Sequence, residues 1–176
     1  QPQTLGQRLV RVRRVDRGLS RLRVYAAHQQ DLDAEMRAQI DLAKASADEG
    51  SRDADLLIIA PRLVERGPEV RRAAESAGFA TALRSAGELP GPETRVYVAD
   101  TFGEMGLWYR HARVALIGGT FGDVEGHSPW EAVHLGTPVL HGPRTANFRG
   151  DYAMLDAAGA AIAVASADDI APALDA

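Results

Sequence analysis

Between Gly118 and Phe148 the sequence reads GGTFGDVEGHSPWEAVHLGTPVLHGPRTANF. Gly118, Gly119 and Gly122 follow an apolar run at 114–117. Without side chains they let the backbone turn tightly and approach a ligand. Amide N–H groups at such a turn, or at a helix N-terminus, suit a phosphate. Glu131 lies one turn into a short helix beyond the glycines. Its carboxylate could accept two hydrogen bonds from ribose hydroxyls, and bonds to a charged acceptor contribute about 1.5–3 kcal/mol each. His127, inside the glycine loop, could donate to the same ligand. A second short strand at 138–141 and a second glycine turn, Gly142-Pro143, complete the layout of a nucleotide site at the carboxyl edge of a parallel sheet.

Architecture offers a competing reading for each of these residues. Ser128-x-x-Glu131 is a capping box with Pro129 at the favoured first helical position. Thr101-x-x-Glu104 repeats the pattern after another strand. There Gly103 falls inside the first turn, where glycine costs a helix about 1 kcal/mol; close approach by a ligand phosphate would account for it. Arg62 follows Ala60-Pro61 at the end of an apolar strand. It is a candidate clamp for phosphate or carboxylate, since its planar fork suits both, or an ordinary surface arginine. The glycine turn is not the dinucleotide fingerprint, because no Gly-x-Gly-x-x-Gly opens a helix. His28, His111, His134 and His141 read as structural, and no pair of histidines has metal-ligand spacing. There is no nucleophile elbow and no phosphate-binding P-loop.

The elements that must position these groups alternate in type. Strands are expected at 23–27, 56–60, 79–83, 95–99, 113–117, 138–141 and 160–164. Helices are expected at 31–48, 68–77, 103–111, 129–135, about 148–158 and 167–174. Leu56–Ala60 is a continuous apolar run, as a strand buried on both faces requires. Leu32, Met36, Ile40 and Ala43 recur at helical spacing, and Gly50 ends that helix. The alternation predicts an α/β fold: a Rossmann-like parallel sheet with helices on both faces, binding ligand at the carboxyl ends of its strands.

Composition narrows the class. The 176 residues are 45% hydrophobic and 25% charged, the balance of a globular domain. A net charge of −4 gives no reason to expect nucleic acid. With no cysteine, disulfides and thiolate chemistry are excluded. No run of 18 apolar residues could cross a bilayer. The basic charge is nearly all arginine, Lys44 being the one lysine. Arg8, Arg11, Arg13, Arg14, Arg17, Arg21 and Arg23 crowd the start against one acid, Asp16. Residues 1–21 are read as an arginine-rich linker or edge segment, open to an anionic surface such as headgroups. Residues 22–176 are read as the nucleotide-binding domain. Gln1-Pro2-Gln3-Thr4 suggests an interior cut.

Five segments in order resemble one family. They are LIIAPR (57–62), DTFGEM (100–105), GGTF (118–121), GHSPWE (126–131) and GPRTANF (142–148). Together they are similar to the C-terminal half of the 3-deoxy-D-manno-octulosonic acid (Kdo) transferases, over roughly residues 22–165. The resemblance implies a GT-B glycosyltransferase, with two Rossmann-like domains facing a cleft. The C-terminal domain binds the donor, CMP-Kdo. The N-terminal domain, absent from this chain, carries the acceptor site, the catalytic carboxylate and often a membrane anchor. The implied acceptor is a lipid A precursor, in lipopolysaccharide biosynthesis at the cytoplasmic face of the bacterial inner membrane. This chain is then a soluble part with no catalytic residue of its own, inactive alone, and needing no cofactor or metal in this domain.

Carried over, Arg62 contacts the donor. The backbone at Gly103, Glu104 and Met105 cradles phosphate or base. Gly119 and Thr120 line the phosphate pocket, with His127 and Ser128 beside them, and Glu131 binds the ribose. The chain departs from the family at four places. Ser128 stands for the usual Asn, Glu125 for a glycine, and Leu63 for the His of Pro-Arg-His. His28–Asp33 replaces a Ser-Thr-His-x-Gly-Glu-Glu segment. Two other readings therefore stand beside the first: a diverged GT-B transferase using another nucleotide sugar such as a UDP-sugar, and a non-catalytic paralogue.

Overall fold

The structure, a computed structural model, describes residues 22–26, 56–170 and 173. Seven strands form one sheet: β1 (Leu22–Ala26), β2 (Leu56–Ile59), β3 (Thr81–Leu83), β4 (Val96–Val98), β5 (Ala115–Ile117), β6 (Val139–His141) and β7 (Ala161–Ala163). Their order is β3-β4-β2-β1-β5-β6-β7, and every pairing is parallel. Among the described residues these α-helices accompany them: α1 (Gly67–Ser76), α2 (Met105–His111), α3 (Trp130–His134) and α4 (Arg149–Ala157).

The short strands are apolar on both faces because both faces are covered. Leu57 and Ile59 of β2, Val96 and Val98 of β4, and Leu116 of β5 pack with Val70 and Ala74 of α1. Side chains of opposite parity in the same strands point the other way. Ile58 and Tyr97 meet Met105 and Trp108 of α2, while Ala115 and Ile117 meet Ala132 and Val133 of α3 and Tyr152 and Leu155 of α4. Period-two alternation along each strand thus feeds two separate layers of core. The α/β class and the helices on both faces agree with the sequence reading, strand for strand. The elements are shorter than expected: β3 begins at Thr81 and α2 at Met105. A 3-10 turn, Ala167–Asp169, opens the last expected helix, and Ile170 and Ala173 beyond it are helical. The arginine-rich segment and the 31–48 helix lie outside the described residues.

Topology sets the place of the site. From β1 the chain builds β2, β3 and β4 on one side, then crosses to β5, β6 and β7 on the other. β1 and β5 are therefore the switch point, where loops leaving neighbouring strands part and open a crevice. Arg62 follows β2, Gly103–Met105 follow β4, and Gly119–Glu131 follow β5. All of the nominated residues thus lie on the carboxyl edge.

Gly67, the first residue of α1, lets that helix start against β4. A Cβ there would lie 2.0 Å from Asp100 Oδ2 and 2.6 Å from Asp100 Cβ. Asp100 is buried, and its carboxylate accepts bonds from Ser85. Gly67→Ala is expected to destabilise the fold by about 1–3 kcal/mol, the usual range for overpacking. Urea denaturation measures it, and an unchanged midpoint would show that α1 tolerates a shift away from the sheet.

Candidate functional site

Thr120 organises the wall beyond β5. Its hydroxyl donates to Ile117 O (2.8 Å) and accepts from Gly142 N (2.8 Å), while its carbonyl accepts from Arg144 N (2.9 Å). Gly142 is obligatory, since a Cβ would come within 2.4 Å of Thr120 O. The Thr120 hydroxyl is thus spent inside the protein, and any part this residue plays toward a ligand falls to its backbone. Gly119 (φ +75) accepts from Gly126 N at 2.8 Å. A Cβ on Gly119 would meet His127 Cδ2 at 2.9 Å, so this glycine makes room for the histidine ring.

His127 in turn lies beside Arg62, with 3.5 Å between Nδ1 and Arg62 Nη1. An arginine can only donate, so the contact selects the tautomer with a bare Nδ1 and a proton on Nε2. Burial, then the Arg62 charge, pushes the imidazole below its ordinary value, which keeps it neutral at pH 7. Its backbone is held by Tyr152, whose hydroxyl donates to His127 O at 2.8 Å. Two residues nominated from sequences 65 apart thus meet across the crevice.

Neither expected capping box forms. Trp130 N reaches Ser128 Oγ only at 3.4 Å, and α3 has no side-chain cap bond at its first turn. Glu131 is exposed, and among the described residues its carboxylate takes no hydrogen bond or ion pair. Its field is felt by the buried Tyr109 of α2, whose hydroxyl it helps to hold above its ordinary value after burial. On the other wall, Thr101 donates to the Glu104 side chain instead of capping α2. Arg84 grips the same carboxylate with Nε and Nη2 at 2.9 and 2.8 Å. These bonds hold the Glu104 carboxyl down at about 2. The Glu104 carboxylate is taken by these partners and its carbonyl accepts from Leu107 N at 2.9 Å, so among the described residues what it leaves open is its amide N–H. Gly103 (φ +83) is exposed, with open space where a Cβ would stand. Its left-handed backbone gives glycine a reason to be there that no helix propensity does.

Glu125 departs from local rules more than any other described residue. It alone among the non-glycine residues has a positive φ, +59. Its carboxylate pairs with Arg144 Nη2, which also meets Asp123 at 3.0 Å. Asn147 N donates to Glu125 O (3.0 Å) and Asn147 Nδ2 to Val124 O (2.7 Å). The negative charge at Glu125 is therefore matched by the positive charge of Arg144. Sequence reasoning marked Glu125 only as standing for a glycine, and passed over Arg84 and Ser85. Arg84 reads as an ordinary surface residue beside a Gly/Pro-rich turn, and nothing local marks its partner 20 positions on.

The edge thus carries N–H donors from Arg62, His127 and two glycine turns, together with one unengaged carboxylate. Phosphate and ribose need that combination. No protein-family model matches the chain. The 3-deoxy-D-manno-octulosonic acid transferase of Bordetella pertussis is 42% identical over 121 residues, which is 68% of this chain and 28% of that protein. The transferase of the same name from Haemophilus influenzae is 35% identical over 100 residues, 57% of this chain and 23% of the relative. The C-terminal CMP-Kdo binding domain of WaaA from Acinetobacter baumannii superposes with a TM-score of 0.75 at 28% identity, covering 88% of this chain and 77% of that one. This chain is a homologue of the Kdo transferases. Its fold is that of the C-terminal domain of these GT-B enzymes. It spans roughly a quarter of the length of the curated Kdo transferases it matches. Among the described residues no helix is long and apolar enough to cross a membrane.

Left-handed backbone at a non-glycine residue costs about 1–2 kcal/mol, and a half-exposed ion pair returns about 0–1 kcal/mol. Glu125→Gly relieves the first and loses the second, so it is expected to be at least as stable as the parent. Glu125→Ala keeps the strain and loses the pair, so it is expected to fall below both. Urea midpoints rank the three, and an Ala variant more stable than the Gly variant would contradict this account of the loop.

Proposed function

We propose that residues 22–176 are the donor-binding domain of a Kdo transferase and that its ligand is CMP-Kdo. The supporting observation is Glu131. Its carboxylate is exposed and takes no bond among the described residues, at the position where the resemblance calls for a ribose acceptor. Arg62 and His127 supply donors for the phosphate or the sugar-acid carboxylate, assisted by backbone at Gly119 and Thr120. The turn at Gly103-Glu104-Met105 supplies backbone toward phosphate or base, and Ser128 borders the ribose side.

In this reading the whole protein transfers Kdo to a lipid A precursor by inverting attack of an acceptor hydroxyl. The base belongs to an N-terminal domain that this chain does not include. Acceptor recognition and contact with the cytoplasmic face of the inner membrane belong to the whole protein, with residues 1–21 as a linker or edge segment. The pairing of Glu125 with Arg144 supports a working pocket over a paralogue with a spoiled one.

Calorimetric titration with CMP and with UDP, on the parent and on Glu131→Ala, tests the reading. CMP is expected to bind in preference to UDP, and loss of Glu131 to weaken CMP about tenfold or more, a change of about 1.4 kcal/mol. A preference for UDP would assign the domain to a transferase of another nucleotide sugar. An unchanged affinity in Glu131→Ala would remove the ribose role. Turnover by this chain alone would place the catalytic base here instead.

A further inference from the structure

We propose that Arg84 and Ser85, at the carboxyl end of the edge strand β3, are positioning residues for the donor site, which they serve by holding the turn at 100–105 without touching ligand. The inference rests on the reading of that turn as one wall of the site.

β3 ends at Leu83, and each of the next two residues grips one carboxylate on the neighbouring turn. Arg84 makes a two-bond fork to Glu104, with Nε to Oε2 at 2.9 Å and Nη2 to Oε1 at 2.8 Å. Ser85 makes a second fork to Asp100, with N to Oδ1 at 2.8 Å and Oγ to Oδ2 at 2.6 Å. Thr101 adds a third donor to Glu104. Asp100 is backed by Gly67, with no room for a side chain between them. The turn is thus pinned at both ends, at Asp100 and at Glu104. Between the pins lie Phe102, which is 80% exposed, and Gly103 in the left-handed region, so this stretch has little packing of its own to define its shape. Glu104 O then receives Leu107 N at 2.9 Å, which makes the pinned residue the start of α2.

The geometry suits orientation more than stability. The side chains of Arg84 and Glu104 are 34% and 25% exposed. An ion pair so open to water adds little to folding, while a planar fork fixes direction strongly. Both carboxylate oxygens of Glu104 are occupied and its carbonyl accepts from Leu107 N, so the residue offers the ligand its amide N–H, and the position of that group is what Arg84 sets. Lysine would keep the charge and lose the fork.

Arg84→Ala and Arg84→Lys, made in this chain, are compared with the parent by amide hydrogen exchange without ligand, by thermal melting, and by titration with CMP. Arg84→Ala is expected to speed exchange at residues 101–107 with little change in Tm, and to weaken CMP about tenfold. Arg84→Lys is expected to fall between. Unchanged exchange at the turn overturns the positioning role whether or not CMP binds. Faster exchange with undiminished CMP affinity overturns the link between this turn and the site. If the parent itself binds no CMP, faster exchange still upholds the positioning of the turn, and the donor reading is what fails. A fall in Tm with exchange raised throughout the domain would make Arg84 a general structural residue and overturn the proposal.

Discussion

The buried hydroxyl of Thr120 is the constraint on which one side of the crevice depends. It joins the carboxyl ends of β5 and β6 by donating to one loop and accepting from the next. A hydroxyl with no exposure must be fully bonded, because an unsatisfied one costs about 1–3 kcal/mol. Gly142 must be glycine for the two segments to come this close, and Arg144 N completes the junction. Once they are joined, the lacing through Asn147 and Tyr152 fixes the glycine loop, and the loop fixes His127 and the start of α3. Glu131 can then be left unbonded in the position the fold gives it.

The two walls reach rigidity by different means. Directly beyond β5 the turn at Gly118–Thr120 is buried and held by backbone bonds and the Thr120 hydroxyl, and small residues permit close approach. Beyond β4 the turn is exposed, and carboxylates gripped by an arginine and a serine define it. A backbone-held wall is insensitive to salt. A charge-held wall tolerates solvent on its outer side.

Much of the fold was legible in the sequence. Continuous apolar runs such as Leu56–Ile59 and glycines after each run mark strands buried on both faces with turns at their carboxyl ends. Element ends were less legible, because Thr101 and Glu104 spell a capping box yet bond to each other. Local pattern cannot show that a distant arginine competes for the same carboxylate. The meeting of Arg62 with His127 was implied by topology, since β2 and β5 flank β1, though no spacing rule links residues so far apart. Arg84 and Arg144 escaped for a related reason. Each is meaningful only through a partner in another loop, and a surface arginine carries no sign of its partner.

The exposure of the site residues bears on how such an edge selects a ligand. Arg62, Gly103, Ser128 and Glu131 are all open to water, whereas Gly119 and Thr120 are buried. Bonds formed at exposed groups replace bonds to water and are screened, so each adds modest affinity until another surface closes over them. Discrimination between similar ligands needs groups that cannot relax. In this edge those are backbone atoms held by bonded partners, at Gly119-Thr120 and at the pinned turn beside Glu104. On the proposed reading, the charged side chains attract and orient an anionic ligand, and the choice among such ligands falls to the main chain, whose shape is set by residues that never meet the ligand.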